Sequence, residues 1–75
     1  METFHTYNKY IQVILPLALP KLYTYAIPKQ LEAYIQIGIR VEVQFGRQKL
    51  YTAIVHSINE QAPLDYVPKE ILSIV

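Results

Sequence analysis

Hydrophobic and polar positions alternate most cleanly in Ile39-Arg40-Val41-Glu42-Val43-Gln44-Phe45, where every second side chain is apolar. That two-residue period belongs to a β-strand with one dry and one wet face. Gly38 opens the segment and Gly46 closes it, both natural turn punctuation. Phe45 to Lys49 then reads as a polar hairpin connection, and Leu50 to Ile58, rich in Tyr, Thr, Ile and Val, as the returning strand. Upstream, Tyr10 to Leu15 predicts a strand with Ile11, Val13 and Leu15 on one side. Pro16 and Pro20 keep the stretch between them out of a central strand, because proline has no amide hydrogen for the ladder. Leu22 to Ile27 is a further short extended stretch, ended by Pro28. Between Pro28 and Gly38 the spacing of Leu31, Tyr34 and Ile35 is helical, and Pro28 suits a first helical turn, so a loop with one short helix is expected. Asn59 to Pro68 reads as a polar loop and Glu70 to Val75 as a last strand. The blunt apolar ending suggests a piece of a longer polypeptide.

Short strands joined by Gly and Pro turns predict an all-β fold: a small antiparallel, barrel-like sheet of about five short strands. Residues 1–9 read as an N-terminal arm and residues 10–75 as the domain. Edge strands left bare are a liability, and a neighbouring domain would cover them.

Composition narrows the function classes. A chain of 75 residues is one domain, too short for a kinase, dehydrogenase or helicase core. Hydrophobic residues at 52% and charged residues at 17% argue for an ordered domain. A net charge of +1 gives little grip on long stretches of duplex phosphate. Without cysteine there is no disulfide, thiol nucleophile or Cys-ligated zinc site. The most apolar run, Val13 to Leu19, is far short of the roughly 20 residues a spanning helix needs, so no membrane association is expected.

Catalytic chemistry finds little support. His5 lies in the unpatterned N-terminus and His56 inside a strand pattern, where a structural role is the simpler reading. Ser57 and Ser73 lack a nucleophile elbow, the carboxylates are scattered singly, and no phosphate-loop motif occurs. Binding fits better. Seven tyrosines supply rings that are apolar and hydrogen-bonding together. Lys21 precedes Tyr23 and Tyr25, while Arg47 and Lys49 precede Tyr51. Cations beside aromatic rings suit single-stranded nucleic acid, since bases stack on the rings and phosphates meet the charges. The same tyrosines also suit a small β-barrel interaction module with a tyrosine-lined peptide groove.

Two runs shift that balance. Ile14-Leu15-Pro16-Leu17-Ala18-Leu19-Pro20-Lys21-Leu22-Tyr23-Thr24-Tyr25-Ala26-Ile27-Pro28 is followed ten residues later by Gly38-Ile39-Arg40-Val41-Glu42-Val43-Gln44-Phe45-Gly46-Arg47. Together they resemble the N-terminal 3′-DNA-binding domain of the PriA family, the bacterial replication-restart helicases also called primosomal protein N′. The likeness continues through Ile54 to Ile58 and into Pro68 to Val75. It implies a module that recognises the 3′-terminal nucleotide of a nascent strand at a stalled fork, in the cytoplasm, on single-stranded or forked DNA with a free 3′ end. The helicase domains of the same polypeptide, and other primosome proteins, would be its partners. ATP and zinc would belong to those other regions, with no cofactor in this segment and the domain running on past Val75.

The resemblance also implies site residues. Tyr23 would support the terminal base, Gly46 would let DNA approach the backbone, and Lys69 would meet phosphate or a base edge. Lys21 and Arg47 would assist. Thr24 stands where the family pattern has an acidic residue that accepts a hydrogen bond from the 3′-hydroxyl. Threonine keeps an acceptor but carries no charge, which weakens the bond and removes the repulsion of a 3′-phosphate.

Overall fold

A computed structural model describes residues 7–18 and 21–75. Its strands are β1 (Tyr10–Ile14), β2 (Leu22–Ala26), β3 (Arg40–Phe45), β4 (Lys49–Asn59) and β5 (Ser73–Ile74), with a 3₁₀ helix at Lys29–Tyr34 between β2 and β3. The sheet runs in the order β2-β1-β4-β3-β5 with every named pairing antiparallel. The all-β expectation holds. The sheet does not close, so barrel-like describes its curl and not its topology.

The alternation in β3 becomes two faces: Val41 and Val43 are fully buried, Arg40 is exposed, and Ile39 and Phe45 pack partly buried against the core. The inward side of β1 carries Ile11 and Val13, and Leu15 just past its end continues that buried row, as the spacing predicts. Between the pairs Gln12–Ser57 and Val13–Val55 the register shifts, leaving His56 as an extra residue that bulges β4 against β1. Such an irregularity increases local twist and helps a short sheet curl. The β3–β4 hairpin pairs Phe45 with Lys49 and turns through Gly46 at φ 75°, a left-handed conformation that disfavours any side chain.

Two elements differ from the expectation. Pro28 precedes the helix as its cap, and the turn is 3₁₀, with Leu31 N–H donating to the Pro28 carbonyl at 2.9 Å. Leu31 packs against the core from within the helix and Ile35 from the extended residue just past it, while Tyr34 stays exposed. The last strand is shorter than Glu70–Val75 because that segment divides between two partners. Ala26 N–H donates to the Lys69 carbonyl at 2.8 Å and Ile71 N–H to the Ala26 carbonyl at 3.0 Å, which ties it to β2. Beyond Ile71 it turns to β3, where Leu72 N–H meets the Glu42 carbonyl at 2.8 Å. The C-terminal segment is a strap between the sheet's outer strands, pinned by the buried Ile71. His5, Leu19, Pro20 and most of the expected arm lie outside the described residues. The arm's end meets the fold, since the Lys9 carbonyl accepts from Ile27 N–H at 3.1 Å. Among the described residues no helix is long and apolar enough to cross a membrane.

Candidate nucleic-acid interface

The curl carries β2 towards the end of β3, although three strand boundaries separate them in the sheet. Two side chains on one face of β2 show the approach. Tyr25 donates its hydroxyl to the Gln44 carbonyl at 2.8 Å, and the Tyr23 ring meets Phe45 edge-on at 4.7 Å between centroids. Phe45 in turn meets Tyr51 of β4 at 6.3 Å. Edge-to-face contacts of this kind stabilise by about 0.5–1.5 kcal/mol beyond area burial.

Between β2, the hairpin turn and the strap lies a concavity of about 210 Å³, lined by Tyr23, Thr24, Tyr25, Gln44, Phe45, Gly46, Tyr66, Val67 and Lys69. The four residues singled out first in the sequence, Tyr23, Thr24, Gly46 and Lys69, all line it. Lys69 donates from Nζ to the Gly46 carbonyl at 3.2 Å, so the strap holds the hairpin turn by its backbone. A Cβ built on Gly46 would find nothing within 4 Å, which leaves the approach to that backbone open. Lys21 lies outside the lining and stands over the Tyr23 ring at 5.5 Å, within cation–π range. Arg47 also lies outside it, at the exposed hairpin tip, where its carbonyl accepts from Gln44 Nε2 at 2.7 Å.

Thr24 has a particular place. Strand alternation turns its side chain away from Tyr23 and Tyr25, towards Gln12, its cross-strand partner on β1. Gln12 accepts from Ser57 Oγ at 3.0 Å, completing a polar row over the outer face. β2 is an edge strand, so its rim borders both faces of the sheet.

Tyr66 and Val67 were hidden in the sequence inside a segment that reads as polar loop. Tyr66 accepts the edge amide of Thr24 at 3.0 Å, and its own hydroxyl proton remains available to a ligand. Val67 stands 91% exposed at the mouth, an apolar side chain that a bound base or sugar would cover. No local signal marks either residue; only the loop's return to β2 brings them in. His56 is exposed on β4, and among the described residues no group of three or more His, Cys, Asp or Glu could hold a metal ion.

Burial, then the neighbouring Tyr66 and Tyr23, push the Tyr25 phenol up from 10.0 to about 12. The unfolded chain ionises this group near 10, so between pH 10 and about 12 the unfolded state holds fewer protons. The contribution of Tyr25 to stability is therefore full below pH 10 and is lost as pH rises through about 12. Denaturant unfolding at pH 8 and across this alkaline window is expected to show a smaller alkaline loss for Tyr25→Phe than for the wild type. Equal losses would mean that Tyr25 ionises as freely folded as unfolded.

Fold and hollow together define a small all-β binding module whose recognition surface is aromatic and cationic. The sequence profile of the PriA 3′DNA-binding domain (3′BD) matches residues 12–75, and the chain belongs to that family. It is a DNA-binding module. A search of curated proteins returns no match to the chain.

Proposed function

We propose that this domain reads the 3′-terminal nucleotide of a nascent strand at stalled forks, within a bacterial cytoplasmic replication-restart helicase whose other regions hold the ATPase and zinc modules. The observation that carries the reading is the meeting of Tyr23, Thr24, Gly46 and Lys69 on one concavity. At about 210 Å³ it is smaller than the roughly 300–1,000 Å³ of drug-sized sites, which suits one terminal base or sugar better than an extended peptide. The terminal base stacks on Tyr23 and covers Val67. The sugar comes to the rim of β2, where the Thr24 and Tyr66 hydroxyls offer an acceptor and a donor. Lys69 turns from the Gly46 carbonyl to the phosphate. An end pocket neutralises few phosphates, in keeping with a net charge of +1, and other regions of the helicase add fork affinity.

Binding of 3′-hydroxyl, 3′-phosphate and 5′-only accessible oligonucleotides tests this. The wild type is expected to require an accessible 3′ end while rejecting a 3′-phosphate weakly. Thr24→Asp should sharpen the preference for a free hydroxyl by roughly 1 kcal/mol, about fivefold, through a charged acceptor and like-charge repulsion. A wild type indifferent to which end is free, with no change in the variant, would sink end recognition. Salt should weaken binding only shallowly. Neutralising two phosphates implies a slope of log K against log salt of about −1.4 for single strands. A slope several times steeper would mean an extended basic track.

A further inference from the structure

Gly46 borders two concavities at once. Beyond the terminal hollow, on the hairpin side, a second one of about 480 Å³ is lined by Leu17, Phe45, Arg47, Gln48, Lys49 and Tyr51 beside Gly46. A third, of about 520 Å³, begins at Thr24 and passes Gln12 to reach Asn59, Glu60 and Gln61. A strand whose last nucleotide sits in the terminal hollow carries its next phosphodiester out towards one of these. Their charges differ in sign. The hairpin concavity has two cations and no acid in its lining, whereas the third has Glu60 and no cation. A phosphate beside Glu60 meets a like charge; beside Arg47 and Lys49 it meets opposite ones.

The route over Gly46 is also open and paved. Gly46, shared by the two hollows, carries no side chain of its own, and a Cβ there would have nothing within 4 Å. Lys69 Nζ lies at the crossing, on the Gly46 carbonyl. Tyr23, Phe45 and Tyr51 follow one another in edge contact, Tyr23 on the terminal side and Tyr51 on the hairpin side. Successive rings with cations alongside are what single-strand binding surfaces use to hold successive nucleotides.

We infer that the β3–β4 hairpin concavity is a second nucleotide subsite, in which the phosphodiester and base preceding the terminal nucleotide lie against Arg47, Lys49 and Tyr51. This rests on the terminal hollow being the 3′-end site. The two are separated by ligand length. Amide shifts and affinities are measured for the whole chain with thymidine and with a thymidine trinucleotide bearing a free 3′-hydroxyl. The trinucleotide is expected to shift the amides of Arg47 to Tyr51, which thymidine leaves in place. Arg47→Gln/Lys49→Gln alters two exposed side chains, so the fold is kept. It should weaken the trinucleotide about fivefold, flatten its salt slope by about 0.7 for each phosphate no longer neutralised, and remove most of its advantage over thymidine. Unchanged trinucleotide affinity and slope in that variant overturn the subsite, as do shifts running instead through Gln12 and Asn59 to Gln61. If Tyr23→Ala still weakens binding of both ligands at least about fivefold, the end pocket survives that result. A wild type that binds neither ligand ends both.

Discussion

Ile71→Ala is expected to remove about 2–5 kcal/mol of stability, the range for truncating a buried isoleucine to alanine. Ile71 is 2% exposed and anchors the strap that joins β2 to β3. A domain this small sits near the lower end of the roughly 5–15 kcal/mol of native stability, so the loss is a large share of the whole. Each kcal/mol moves the melting temperature by about 4–8 °C at this size, which puts the expected fall at about 8 °C or more. The same loss loosens Lys69 and Tyr66, which the strap carries to the hollow. Thermal unfolding with a DNA titration well below the transition checks both effects. A fall of only a degree or two would mean that the strap lies outside the cooperative unit. Normal DNA affinity in a clearly destabilised variant would take Lys69 and Tyr66 out of recognition.

Tyr23→Ala should cost about 1–3 kcal/mol of DNA binding, about five- to 150-fold, if the ring supports the terminal base. It also removes the edge contact with Phe45 and some core packing, so stability falls as well. Tyr23→Leu separates the two roles. Leucine keeps apolar bulk against Phe45 but has no aromatic face, so it should fold well and bind poorly. A folded Tyr23→Leu with wild-type affinity would show that Tyr23 serves packing alone.

Residues 39–45 display how much was legible in the chain. Their alternation names a strand, its inward face and its two glycine ends, because the pleat imposes a two-residue period on any strand with one dry side. The hairpin after them, the inward set on β1, the short helical turn and the all-β class follow from the same kind of local signal. The motifs around Tyr23 and Gly46 suffice for the family. None of this needs long-range contacts.

Long-range pairing was decided only in three dimensions. The strand order β2-β1-β4-β3-β5 and the split of residues 69–75 between two strands depend on which edges remain free once the core is packed. Glu70 to Val75 reads locally as one strand, yet burying Ile71 against the core turns it from β2 to β3. Tyr66 looks like any loop tyrosine until the strap's path sets its hydroxyl on the Thr24 amide. Thr24 and Tyr23 are neighbours in sequence but face opposite sides of β2, and only its position as an edge strand brings both to one rim. The sheet's curl makes the hollow, because it brings Tyr23 to Phe45 across strands that never pair. Local periodicity carries the identity of each strand; the concavity exists only where several strands and a returning loop compete to bury the same apolar surface.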